Sequence, residues 1–429
     1  MPNLVTFGAT EYMDGALTLP VLKELFLRGA ASRGRGRPSR GRELILPDQN
    51  EDQDRERRRE CKDLEAVDLT GCVSGVLVKS LGEFVNTHLL QSIDGDTGGS
   101  EDEAWREGRR AHFAHILEEP LVFPGLRRLG LRGVKSIQPH ILMPFVLSFP
   151  SLTHLDLSAT RATPELLYAL GSSQSIRLHS LALARCIMLT GESLKNFLVD
   201  APVTSQIREL TLYGDSTFPS PLSEQDLHQI LAFAPCFTNG ELLYLDLSSS
   251  PVTKELLQDV WKPQPKLRSL GLSYIHDLEL DVVADFVKMK APNVEVLTLV
   301  GTSPELEGRV SPRHASAALH TKIIRPLCTP PFSFTVKGMP PTNVRVIELS
   351  MAILGTLGAG AGAWRIVRSK GGRGWYVDTA SGWVGGVLTR ELDENHALRI
   401  ETQRLADANG NVSSGVGWHA RKMEVNVTD

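Results

Sequence analysis

One short pattern recurs along the chain and narrows its possible folds more than any other feature. An aliphatic residue, two free positions, a leucine, one free position and a second leucine begin at Leu22 (LKELFL), Leu126 (LRRLGL), Leu152 (LTHLDL), Leu178 (LHSLAL), Ile207 (IRELTL), Leu242 (LLYLDL), Leu267 (LRSLGL) and Val294 (VEVLTL). Looser copies begin at Leu64 (LEAVDL) and Val344 (VRVIEL). Roughly two strict matches would arise by chance, and the chain has eight, so the pattern is a repeat. From Leu126 to Val294 the copies follow one another after 26, 26, 29, 35, 25 and 27 residues. Spacing of that order marks stacked supersecondary units.

Behind each copy lies a second signal. After LTHLDL, Thr163-Pro164-Glu165 opens a helix with proline in its first turn, followed by LLYAL. Thr190 and Ser193 open TGESLKNFL, and Ser223 with Asp226 opens LSEQDLHQILAFA, where Leu222, Leu227, Ile230 and Leu231 form one apolar face. TKELLQDVW and ELDVVADFV repeat the design. The apolar period switches from 2 to 3.6 in every unit, as a βα repeat requires.

In these features the chain resembles the leucine-rich-repeat superfamily, and in unit length its ribonuclease-inhibitor-like branch. Cys72 and Cys186, at the ninth position of LEAVDLTGC and LHSLALARC, resemble the cysteine-type repeats of ubiquitin-ligase receptors, while the other copies carry residues such as Val134, Thr160, Ser250 and Thr302 there. The chain is also similar to fungal leucine-rich-repeat proteins, with GWHARKMEV in the tail as a marker. The resemblance implies an α/β solenoid, a horseshoe of parallel strands with convex helices. That solenoid is expected to span residues 1–350, with a small α+β segment capping its end over 351–429.

Two insertions interrupt the series: residues 31–62, from SRGRGRPSRGR to EDQDRERRREC, and an acidic, glycine-rich stretch at 92–103. Both are too poor in apolar residues to offset their ordering entropy and are expected to be disordered. The 50 residues between Val294 and Val344 equal about two periods, so they hold either a degenerate unit or a proline-rich loop. After Leu349 the repeat stops; RGWYVDTASGWVGG reads as two strands joined across Asp378 to Gly382, and VLTRELDENHALRIETQRLADANG as a helix.

Composition excludes some functions. With 46 basic and 50 acidic residues in 429, no overall field points to nucleic acid or membranes. No run of 18 apolar residues and no signal peptide is present, and five scattered cysteines make no disulfide framework, so a soluble cytoplasmic or nuclear protein is expected. Arg33, Arg35, Arg37, Arg40 and Arg42 form a basic run around Ser39 without interleaved aromatics, better read as a solvated loop than as an RNA site. His112 and His115 share a helical face, yet nothing completes a zinc site. The GAGAG run at 358–362 lacks the residues of a phosphate loop and reads as a hinge. Neither an enzyme nor a cofactor is expected.

The remaining surface is the concave face. Alternation on each strand turns the third, fifth and seventh residues of a unit outward: Arg128 and Arg132; His154, Asp156 and Ser158; Glu209, Thr211 and Tyr213; Tyr244, Asp246 and Ser248; Ser269 and Ser273. Asp68, Asp156 and Asp246 hold the same fifth position and should lie on one stripe. A polar ladder with two tyrosines suits recognition of a protein partner. The expected function is therefore a monomeric, non-enzymatic protein-interaction scaffold. The alternative is a substrate-recognition subunit of an SCF-type ubiquitin ligase, for which TLPVLKELFLRG is the only trace.

Overall fold

The computed structural model describes residues 4–9, 13–27, 64–90, 121–306, 311–330, 340–358, 360–368 and 374–378. They form an α/β solenoid built on one sheet. Ten short strands follow in sequence order and pair in parallel: β1 (Thr6–Gly8), β2 (Ala66–Asp68), β3 (Arg128–Gly130), β4 (His154–Asp156), β5 (Ser180–Ala182), β6 (Glu209–Thr211), β7 (Tyr244–Asp246), β8 (Ser269–Gly271), β9 (Val296–Thr298) and β10 (Val346–Leu349). Two longer strands, β11 (Trp364–Arg368) and β12 (Gly374–Asp378), pair antiparallel with each other, and β12 pairs antiparallel with β10.

The register explains why the hexads produce this sheet. Their central leucines fall opposite one another, Leu129 with Leu155, Leu181, Leu210, Leu245, Leu270 and Leu297, and all are buried in one continuous core. Helices return the chain along the other side of that core. Ser74 Oγ caps Gly75–His88 by accepting from the Leu77 amide at 3.2 Å. Thr190 and Ser223 start Gly191–Asp200 and Glu224–Phe233 with reciprocal capping boxes to Ser193 and Asp226, each satisfying amides that would otherwise lack a partner.

A turn at the eighth position of the unit repeats the same conformation. Gly71, Gly133 and Gly301 have positive φ there, and so do the non-glycine residues Ala159, Arg185, Ser249 and Tyr274. The amide at this position extends the ladder past the strand, as in Ala159 N to Ala184 O at 2.7 Å and Ser249 N to Ser273 O at 2.7 Å. One position on, the side chain ties down the turn: Cys186 Sγ donates to Leu157 O at 3.0 Å, and Thr302 Oγ1 to Leu272 O at 2.5 Å. A hydroxyl therefore does in one unit what a thiol does in another.

Two sequence expectations change. LKELFL at Leu22 is not a strand but part of the helix Leu19–Phe26, with Thr18 before it, proline in its first turn and Leu22 and Leu25 buried. Leucines three apart fit a helical turn as well as a strand hexad, and the first strand comes instead from Thr6–Gly8, paired in register with β2. Between β9 and β10 the described residues hold no further strand. β9 pairs directly with β10, and the interval contributes helical turns over Pro312–Cys328.

The GAGAG run joins the helix Met351–Thr356 to β11. Gly360 lies so close to the Trp364 carbonyl that no Cβ fits, and the Ala361 amide donates to Tyr376 Oη at 2.9 Å. β12 covers GWYVD and pairs with β11 and β10; the second expected strand and the tail helix lie outside the described residues, as do the basic run, His112, His115 and both insertions.

Candidate functional site on the helix-free face

The side chains singled out in the sequence form three rows on the sheet face opposite the helices. Arg128, His154, Ser180, Glu209, Tyr244 and Ser269 lie side by side, as do Gly130, Asp156, Ala182, Thr211, Asp246 and Gly271. The expected aspartate stripe exists, since Asp68 pairs with Gly130 on the same line. Arg132, Ser158, Tyr213, Ser248 and Ser273 follow just beyond the strands.

Outward direction does not bring exposure. His154, Asp156, Ser158, Glu209, Thr211, Tyr244, Asp246, Ser248, Ser269 and Ser273 are all buried, and only Arg128, Arg132 and Tyr213 are partly open. Neighbouring strands lie only about 4.8 Å apart, so long side chains lie flat across short ones. Arg132 Nη2 donates to Tyr213 Oη at 3.4 Å across the units that carry Ser158 and Ala184. Tyr244 packs with Ala182 and Tyr213, and its hydroxyl donates to Asp246 Oδ2 at 3.4 Å. The Asp246 carboxylate in turn leans over Gly271, where a Cβ would collide with it.

The aspartates have structural work in place. Asp68, Asp156 and Asp246 each accept through Oδ1 from the amide two residues on, Thr70, Ser158 and Ser248, at 2.9, 2.9 and 3.0 Å. Each thus ends its strand as an Asx turn.

Electrostatics in the floor favour neutral groups. Burial pushes the Glu209 carboxyl up to about 8, a rise that the neighbouring Ser180 hydroxyl only partly offsets. Burial, assisted by Arg128 and His179, pulls His154 down to about 3. Both are therefore uncharged near pH 7. Burial also lowers Arg132, but Tyr213, Asp156 and Tyr244 outweigh it and leave the guanidinium raised. The thiols are unreactive by the same physics, with Cys186 and Cys236 pushed up to about 12 by burial.

A second feature escaped the sequence reading. Along the loops after β3, β4 and β5 runs a groove of about 670 Å³ walled by Lys135, Ala159, Arg161, Arg185, Ile187 and Phe218. Lys135, Arg161 and Ile187 hold the tenth position of three successive units. Phe218 comes from the extra length of the 35-residue unit, where Asp215 Oδ1 accepts from the Thr217 and Phe218 amides, both at 2.8 Å. Gly214 makes this loop possible, since a Cβ there would strike the Ser220 amide and the Phe218 carbonyl. The unit-length anomaly and the tenth-position column were the available signals.

Among the described residues, no three His, Cys, Asp or Glu side chains are grouped to hold a metal ion, and no helix is long and apolar enough to cross a membrane. Strand order, register and the repeated turn define a leucine-rich-repeat solenoid. No protein-family model and no curated protein matches the chain. Among solved structures it is similar to the leucine-rich repeat-containing protein LegL7 from Legionella pneumophila, at 14% identity and a TM-score of 0.32, over 71% of this chain and 88% of that one. That likeness bears on neither partner nor chemistry.

Proposed function

We propose that the chain is a protein-interaction scaffold whose helix-free face contacts a protein partner through Arg128, Arg132 and Tyr213. The observation that supports this reading most is that these three reach solvent, while the other ten candidates form the floor that holds them in place. An aromatic side chain and two arginines, preorganised on a rigid sheet, are the residue types that dominate protein interfaces. Tyr244, fully buried, supports Tyr213 and leaves the contact to it. In the same reading residues 1–350 are the scaffold, and the segment from 351 closes its end by pairing β12 with the outer edge of β10.

The test is a photo-crosslinking amino acid placed at position 213 and, in a separate protein, at position 168, where Tyr168 is 80% exposed on a helix. A discrete crosslinked partner at 213 and none at 168 is expected. Crosslinking at 168 alone would move the interface to the helical side. The ligase-receptor alternative gains no specific observation, because Leu19–Phe26 packs within the helical layer of the first unit.

A further inference from the structure

The groove along the loops after β3, β4 and β5 has a chemistry different from that of the sheet face. Among the described residues, three cations, Lys135, Arg161 and Arg185, line it, and no carboxylate does. Arg185 is held from outside by Asp215, Nε to Oδ2 at 3.1 Å, and its guanidinium lies 5.1 Å from the centroid of the Phe218 ring. Arg161 donates to the neutral Gln138 Oε1 at 2.8 Å, which orients it and leaves its charge without a carboxylate partner among the described residues. Beside these cations stand apolar side chains with large exposed areas, Ile187 at 70% and Phe218 at 41%. An exposed ion pair alone contributes little, because solvent screens it. A ligand that also covers Ile187 and Phe218 excludes water from the same charges and strengthens each attraction.

We propose that this groove binds an acidic segment of a protein partner, one that carries apolar side chains beside its carboxylates. Carboxylates would meet Lys135 and Arg161, and the apolar groups would rest on Ile187 and on the exposed part of Phe218. Nucleic acid fits less well, because the Phe218 face that a base would need is occupied by Arg185. Neither Arg128 nor Tyr213 lines the groove, although the Arg185 amide donates to the Tyr213 carbonyl at 3.1 Å, so its side-chain chemistry is tested independently of the sheet-face reading.

The experiment measures fluorescence anisotropy of three labelled probes on the full chain: a short peptide alternating Glu with Leu and Phe, a peptide of equal charge in which Gly and Ser replace the apolar residues, and an oligouridylate of similar length. The first probe should bind at least about tenfold more tightly than the other two and weaken between about 50 and 300 mM salt. Lys135→Glu combined with Arg161→Glu should weaken it about tenfold or more with an unchanged unfolding midpoint, and Tyr213→Ala should leave it unchanged. Equal binding by the double variant, equal binding of either control probe, or no binding of the first probe would overturn the proposal. Loss of this binding in Tyr213→Ala would merge the two surfaces and overturn the claim of a separate site.

Discussion

The floor of the sheet face and the groove along its rim are built from the same units, yet they differ in what a partner can touch. On the floor, polar residues at the third and fifth positions are shielded by neighbours one strand away, and even Tyr244 and Glu209 are lost to solvent. Along the rim, Lys135 and Ile187 at the tenth position are exposed and Arg161 is partly so, because the chain there leaves the ladder on its way to the helix. Polarity in an alternating strand pattern therefore marks direction, whereas accessibility depends on the lengths of the side chains beside it.

Breaking that contrast begins with the floor. Tyr244→Ala should lower stability by about 3 to 5 kcal/mol, the cost of emptying a fully buried aromatic site, measured by urea unfolding. A loss under about 1 kcal/mol would mean that Tyr244 is a surface residue after all.

Next comes the pH dependence. Glu209 has its pKa raised in the folded chain, so the folded state holds a proton that the unfolded state releases, and stability falls as pH rises from the unfolded value towards about 8. His154, lowered to about 3, gives the opposite slope between about 3 and its ordinary 6.5. The two oppose each other below pH 6.5, and above it Glu209 acts alone. Unfolding free energy should therefore drop by about 2 kcal/mol between pH 6.5 and 8, and Glu209→Gln should abolish most of that drop. A variant that retains the full slope would place the proton elsewhere.

Smaller effects belong to the rim. Ala159 has φ of 55°, a conformation costing an L-residue about 1 to 2 kcal/mol, against about 0.5 to 1 for the added backbone freedom of glycine. Ala159→Gly should thus gain about 0.5 kcal/mol in thermal or urea unfolding. Phe218→Ala should change stability by no more than about 0.5 kcal/mol, which sharpens the contrast with Tyr244 on the floor.

Much of this molecule was legible in the sequence, for identifiable reasons. The leucine hexads gave strands β3 to β9, because a spacing near one βα unit leaves few other ways to bury them. The helix starts at Thr190 and Ser223 were legible because capping is local. Leu22 misled because L-x-x-L serves helix and strand alike. The interval after Val294 kept two alternatives open, since a proline-rich loop and a degenerate unit can have the same length. At the site, register placed Asp68, Asp156 and Asp246 on one line, as alternation requires. The burial of Asp156 and Asp246 was not legible, because it depends on how side chains of neighbouring units lie across the face, and contacts such as that between Arg132 and Tyr213 join residues 81 positions apart. The rim groove was missed because its residues come from loops, where no period announces them.

Cysteine accessibility tests the contrast between floor and rim most directly. In a chain with Cys61 and Cys328 replaced by serine, leaving Cys72, Cys186 and Cys236 buried, Lys135→Cys and Ser269→Cys would be compared for maleimide labelling under native conditions. Rapid labelling at 135 and protection at 269 until unfolding is expected. Equal rates at the two positions would contradict a closed floor beneath an open rim.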